Sequence, residues 1–409
     1  MSVLSESNKP GTLVQQTVTN GSPCNSHESA TAGLPFMLLD EMARVLKPLG
    51  ELGLIEQIRR DFSAGSKAIA LGIGDDCAIL RPPAGCEVLV TTDFTLEGRH
   101  FRRDLHPPES AGHRCLARGL SDLAAMGATP LAAFLSLALP GPMLAESAGR
   151  DWIARFFSGL HALGDMHRVP LAGGDTSESP GGKNGLILAD IVLVGAAPKG
   201  EALRRSGGAG GDALYVTGQL GGAAAELSAM LQRQRRTLRV ATTEGHPHLF
   251  PEPRLDVGES LLRRKLATAC IDVSDGLSTD LAHLCRASGV SAEIEQAAVP
   301  IHPLAHKLGT TAALQAALHG GEDYELLFTA PASVPFPSSL AGVPITRIGS
   351  LKNRRPGNRP GQPLMTMLTP DGTRVELNAG GWEHFSGISS GISSQIRSGT
   401  AKSRKKRPH

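Results

Sequence analysis

An α/β (α+β) fold is predicted by three features of the chain. Apolar runs bounded by Gly and Pro alternate with stretches of helical periodicity. Aspartate recurs where those runs end, and 41% apolar content across 409 residues suffices for a large core. A chain of this length favours more than one domain.

The elements follow in order. Residues 87–92 read as a buried strand that Asp93 ends. Residues 109–126 read as a helix: Pro107 and Pro108 lie at its start, Leu116, Leu120 and Leu123 share a face, and Gly127 is a natural stop. The most apolar stretch, 131–139, is too short to span a membrane and ends at Pro140. Residues 186–194 form a further strand, and a second unit opens near Gly200. It begins with a strand at 213–217, the turn Gly218-Gln-Leu-Gly-Gly222 and an Ala-rich helix. A loop is expected over 233–251, containing His246 and His248, and a strand at 269–273 feeds a helix through Ser274-Asp275-Gly276.

Both ends differ in composition. Residues 1–48 are rich in Ser, Thr, Asn and Gly, which cannot offset ordering entropy, so they are expected to be disordered apart from a short helix at 38–46. Residues 386–409 repeat Gly-Ile-Ser-Ser and end in Lys402-Ser-Arg-Lys-Lys-Arg407, a flexible basic tail. Domains are expected at 49–197 and 198–385.

A formal charge of +2 gives no general pull toward nucleic acid or membrane, and the tail reads as solubilising. The six cysteines (Cys24, Cys77, Cys86, Cys115, Cys270, Cys285) form no CxxC pair or Cys/His metal spacing. They read as small buried hydrophobes of a reduced intracellular protein, with Cys77 a packing residue. With no signal peptide and no apolar span, a soluble cytoplasmic enzyme is expected.

The chemistry lies in the aspartates: Gly72-Ile-Gly-Asp-Asp-Cys77, Thr91-Thr-Asp93, Ser121-Asp122, Gly173-Gly-Asp175 and Ile271-Asp-Val-Ser-Asp-Gly276. Gathered carboxylates repel unless cations sit among them, and oxygen-only ligands with phosphates suit Mg²⁺. Asp122, in the last turn of its helix, opposes the helix dipole at about 0.3–1 kcal/mol and needs a compensating cation. Taken alone, Asp75-Asp76 is an ordinary turn, and Ser274 or Asp275 a helix cap. Five such sites in one chain point instead to a multi-metal polyphosphate site. No Walker loop, protein-kinase signature or dinucleotide fingerprint accompanies them. Phosphate charge must then be met mainly by metal, aided by Arg204, Arg205 or His100.

In this order, Leu71-Gly-Ile-Gly-Asp-Asp-Cys-Ala78, Thr92-Asp93, His100-Phe101, Leu120-Ser-Asp-Leu-Ala-Ala-Met-Gly-Ala128, Gly173-Gly-Asp-Thr176, Ile271-Asp-Val-Ser-Asp-Gly-Leu277, Gly320-Gly-Glu-Asp-Tyr-Glu-Leu326 and Gly381-Trp-Glu-His-Phe385 resemble the thiamine-monophosphate kinase family. The resemblance runs from about Gly50 to Phe385. It implies ATP-dependent phosphorylation of thiamine monophosphate to thiamine diphosphate, by direct in-line transfer with several Mg²⁺ ions and no catalytic side chain forming a covalent intermediate. It further implies magnesium ligands at Asp76, Thr91, Thr92, Asp93, Asp122, Asp175, Asp272 and Asp275. ATP contacts are implied at Gly174, Asp175, Arg205 and Ser274, and thiamine-phosphate contacts at His100, Glu322 and Trp382. The implied architecture is the two-domain aminoimidazole ribonucleotide synthetase-like fold. Its N-terminal domain, which binds ATP and Mg²⁺, would form a barrel across a homodimer, beside a C-terminal α/β domain.

The chain departs from the family pattern at three places. Thr91 stands where Ser is frequent, Phe94 where a small polar residue is common, and 164–167 lack the aromatic expected near adenine. The competing expectations are another ATP-dependent synthetase of the same superfamily and a non-catalytic dimer whose basic tail binds RNA or an acidic partner.

Overall fold

The computed structural model describes residues 50–61, 66–232, 243–354 and 363–382. The expected extensions, the helix at 38–46, Cys24, residues 233–242 and the end of the 381–385 motif lie outside them.

Helix α1 (Glu51–Asp61) precedes two short paired strands, β1 (Ile69–Leu71) and β2 (Ile79–Leu80). A four-stranded sheet follows, in the order β3 (Cys86–Leu96), β6 (Leu188–Pro198), β4 (Thr129–Leu139), β5 (Leu171–Glu178). Its pairs are antiparallel except β4 with β5. Between these strands come α2 (Pro108–Ala125), the short α3 (Pro142–Ala145) and α4 (Ser147–His167).

The helix at 108–125 and the strands at 213–217 and 269–273 match expectation, but three placements are corrected. Asp93 does not end its strand, because β3 pairs with β6 through Leu96, with Asp93 opposite Ile191. Asp175 likewise lies within β5, opposite Ser136. Cys77 is exposed rather than packed, whereas Cys115, Cys270 and Cys285 are buried.

The larger sheet runs β14 (Arg374–Glu376), β13 (Met365–Leu368), β9 (Val290–Glu295), β12 (Val343–Asn353), β7 (Ala213–Thr217), β10 (Glu325–Ala330), β8 (Ala269–Val273), with β11 (Ser339–Leu340) beside β12. Every residue of β7, β8 and β10 is buried, as expected of strands covered on both faces. The accompanying helices are α5 (Gly222–Gln232), α6 (Leu255–Arg263), α7 (Leu277–Ser288), α8 (Pro303–His306) and α9 (Thr310–His319).

Helix α2 joins the two sheets. It packs against α4, β3 and β6 on one side and against α6, β8 and β10 on the other. All of its residues are buried except Arg118 and Asp122, which are one turn apart. Its closeness to α4 requires glycine: a Cβ on Gly112 would lie 1.8 Å from the Phe156 carbonyl oxygen, and one on Gly159 1.9 Å from that of Glu109. One core consequently runs from Leu120 and Leu193 to Tyr215 and Phe328. Truncating a fully buried member such as Leu120 to Ala would cost about 2–5 kcal/mol.

Candidate functional site

The two partly exposed positions of α2, Arg118 and Asp122, mark the site. Asp122 accepts the Thr91 hydroxyl from β3, and Arg118 donates to Asp93 at 3.1 Å. From the other sheet, Asp272 at the end of β8 is 2% exposed and accepts the Ser121 hydroxyl at 2.8 Å. Period-two alternation puts Thr91 and Asp93 on one face of β3. Thr92 faces the other way and bonds Asp190 at 2.7 Å, so its hydroxyl is not brought into this group.

These carboxylates are electrostatically unsatisfied. Burial, then the charges of Asp122 and Asp190, push Asp93 up against the opposing pull of Arg118. Burial and the charge of Asp122 likewise push Asp272 up, opposed by Ser121 and Arg205. Asp280, in the first turn of α7, rises to about 8, through burial and then the charges of Asp272 and Asp275. No three His, Cys, Asp or Glu side chains among the described residues close into a metal cage. Mg²⁺ needs none, because it is held through one or two carboxylates with water and substrate phosphate. An oxygen-only group with surplus negative charge fits it.

A second group lines a cavity of about 540 Å³. Asp75, Asp76, Gly173, Gly174 and Asp175 supply carboxylates and bare backbone, while Ile55, Ile58, Phe134 and Phe157 supply apolar surface. Phe134 and Phe157 provide aromatics that the sequence at 164–167 lacks. Arg205 is exposed and lies within electrostatic reach of Asp272.

The third group is compensated from within. Buried Arg114 donates to Glu322 at 2.6 Å, to the His100 carbonyl at 3.0 Å and to the His248 carbonyl. His248 Nδ1 lies 3.3 Å from Glu322, and its Nε2 is 3.0 Å from His106 Nε2. Burial opposes ionisation of Glu322, but Arg114 and His248 hold its carboxyl well below the usual carboxylate range. The backbone is strained here, with φ of 67° at Glu322 and 51° at Tyr324, a cost typical of ligand-binding loops. His100 Nδ1 accepts the Leu96 N–H at 2.9 Å, and half-buried Trp382 donates its N–H to the Asp275 carbonyl at 3.0 Å.

The capping alternative for Ser274 and Asp275 is corrected. Helix α7 is N-capped by Gly276 without a side-chain bond, and Asp280 reaches back to the N–H groups of Ser274 and Asp275 at 3.1 Å each. Sequence reasoning also missed Arg114, Arg118, Ser121, His248 and Asp280. The signal for the arginines was present: Arg114, Arg118 and Asp122 recur every four residues in the helix, the spacing of one face, and are its only charged residues after Glu109.

Family models describe both halves of this arrangement. Residues 74–197 match the N-terminal domain of AIR synthase related proteins and 209–333 the C-terminal domain. The thiamine-monophosphate kinase of Escherichia coli strain K12 is 37% identical over 346 residues, covering 82% of this chain and 98% of that protein. The chain belongs to the thiamine-monophosphate kinase family. A crystal structure of the enzyme from Stenotrophomonas maltophilia K279a is 36% identical with a TM-score of 0.66, covering 80% of this chain and 98% of that one. A structure of AaThiL complexed with AMPPCP and TMP is 31% identical with a TM-score of 0.61, covering 83% and 99%. The architecture of this family member is therefore the two-domain, AIR synthase-like α/β fold with mixed sheets.

Proposed function

We propose that this protein transfers the γ-phosphate of ATP to thiamine monophosphate, giving thiamine diphosphate and ADP. The observation that carries the reading is the pairing of two charge environments around α2. Aspartates whose charge Arg118 only partly offsets call for cations and phosphates, while beside them a glutamate paired with Arg114 sits with His100, ready for an organic acceptor. The AMPPCP and TMP in the similar AaThiL structure fit the two sides.

Asp93, Asp122, Asp272 and Asp275, with Thr91 and the Thr92 main chain, would hold Mg²⁺ from one side, and Asp76 and Asp175 from the cavity. Bound there, the metal supplies the positive charge that lets two polyanions approach. Gly174, Asp175, Arg205 and Ser274 take the nucleotide, with adenine on the apolar wall formed by Ile55, Ile58, Phe134 and Phe157. Glu322 stays ionised to face the cationic thiazolium, Trp382 offers it an aromatic face, and His100 completes the acceptor side. Positioning and charge stabilisation do the chemistry, so no side chain forms a covalent intermediate. The test is ATP- and Mg²⁺-dependent formation of thiamine diphosphate by purified protein. Absence of product from folded, ATP-binding protein would refute the assignment.

The same reading includes a homodimer. Edge strand β3 exposes Val88 (50%), Val90 (64%) and Phe94 (60%) on the face away from α2. Such a strand invites a partner, and a barrel across two copies would cover it. Val90→Lys should convert dimer to monomer in sedimentation, and an unchanged species would exclude this face. The domain limits at 197–198 and a cytoplasmic location belong to this proposal; no helix among the described residues is long and apolar enough to cross a membrane.

A further inference from the structure

Donor and acceptor sides meet at one turn, residues 273–275. The Ser274 carbonyl accepts the Glu322 N–H at 2.8 Å, that of Asp275 accepts the Trp382 N–H at 3.0 Å, and that of Val273 accepts the Tyr324 N–H at 2.9 Å. Both acceptor residues thus hang by their main chain from the turn whose side chains are assigned to nucleotide and metal. The turn is fixed from below by α7, since Asp280 takes the N–H groups of Ser274 and Asp275. The next two hydroxyls of that helix reach the acceptor segment: Ser278 accepts the Gly380 N–H at 3.2 Å and Thr279 the Gly381 N–H at 3.0 Å.

The contact leaves no slack. A Cβ on Gly381 would lie 2.0 Å from the Asp275 carbonyl oxygen and 2.7 Å from the Thr279 hydroxyl, and one on Gly321 2.6 Å from the Ser274 carbonyl oxygen. Main chains this close move together, so a displacement of the turn is passed to Glu322 and Trp382.

We propose that Thr279, beside Asp280, is a positioning residue: by tying the segment 380–382 to the turn 274–275, it makes thiamine monophosphate binding depend on nucleotide binding. This rests on the acceptor roles of Glu322 and Trp382 proposed above. The Thr279 hydroxyl is taken by the Gly381 N–H, and no substrate contact is assigned to it. Its effect runs through the tie, and the coupling is reciprocal, with each ligand tightening the other.

Trp152 and Trp382 are the only tryptophans, so in a Trp152→Phe background emission reports on Trp382 alone. Thiamine monophosphate is titrated into that protein with and without Mg²⁺ and AMPPCP. Nucleotide should tighten acceptor binding by about fivefold or more. Thr279→Val should bring the ratio to within about twofold of one, with AMPPCP affinity and melting temperature unchanged, and Thr279→Ser should restore it. Gly381→Ala, which breaks the same contact from the other side, should repeat the loss and stands in if Thr279→Val does not fold. A ratio of one in the parent, or a parental ratio in both Thr279→Val and Gly381→Ala, overturns the proposal. Parental thiamine monophosphate affinity in Trp382→Ala and Glu322→Gln, read by titration calorimetry, would instead overturn the acceptor roles, and this inference with them.

Discussion

The aspartate group and the Arg114–Glu322–His248 network lie along one face of α2, where Arg118 reaches both Asp93 and Glu322, and they solve opposite electrostatic problems. In the first, burial and the charge of Asp122 push up both Asp93 and Asp272, against the pull of Arg118 on Asp93 and of Arg205 on Asp272. In the second, half-buried Glu322 is held ionised by Arg114 and His248 against the cost of its desolvation. A site that gathers several metal ions from solution must keep surplus negative charge, whereas a single carboxylate can be held ionised and oriented in advance by its own ion pairs.

The contrast breaks most visibly at Arg114. Arg114→Met takes the nearest cation from the Glu322 carboxylate, leaving it His248 and the more distant Arg118, and takes this donor from the His248 carbonyl. Removing one member of a buried pair costs about 3–5 kcal/mol, so urea unfolding should show a loss of that size. A loss below about 1 kcal/mol, as at exposed pairs, would show the network to be no better built than a surface bridge.

Asp122→Asn should do the reverse. It keeps an acceptor for Thr91 and removes one repelling charge, so metal-free stability should hold or rise while kcat falls about 100-fold or more. A matching fall in melting temperature would make Asp122 structural. The next effect is that of the metal itself: Mg²⁺ with AMPPCP at ten times its dissociation constant should stabilise the protein by about 1.4 kcal/mol. Chelation should abolish this gain, and Asp272→Asn should shrink it.

The two regions also differ in how far the sequence revealed them. The aspartates were legible because glycine and strand ends announce them, and β7 and β8 were legible as short apolar runs. Asp93 and Asp175 were misplaced at strand ends because pairing with β6 and β4 carries the strands past the polar residue, a tertiary effect. The Arg114 network was not legible: His248 is 134 residues from Arg114 and Glu322 208, and no local period links them. Composition makes Cys77 a packing residue, yet it lies on the exposed rim of the Asp75–Asp76 turn.

The smallest effect separates the regions by pH. Asp280 titrates near 8 in the folded chain against 3.8 as a free side chain, so between these values the native state holds a proton that the unfolded state has lost. Its contribution to stability therefore falls as pH rises through that window. His106 behaves oppositely: burial, then the charges of His248 and Arg114, hold it well below its ordinary 6.5. Below pH 6.5 the unfolded histidine takes a proton that the native one refuses, and stability falls as pH falls. Below pH 6.5 the two slopes therefore oppose, and between 6.5 and 8 the Asp280 fall acts without that opposition, at most about 1.4 kcal/mol per pH unit for each proton involved. Asp280→Asn in metal-free protein should lessen the fall between pH 6.5 and 8 and uncover the His106 loss below 6.5, while His106→Gln should let stability go on rising as pH falls below 6.5. If Asp280→Asn left the alkaline fall unchanged, or His106→Gln left the acid side unchanged, that group would not carry the slope and the electrostatic contrast between the two groups would have to be abandoned.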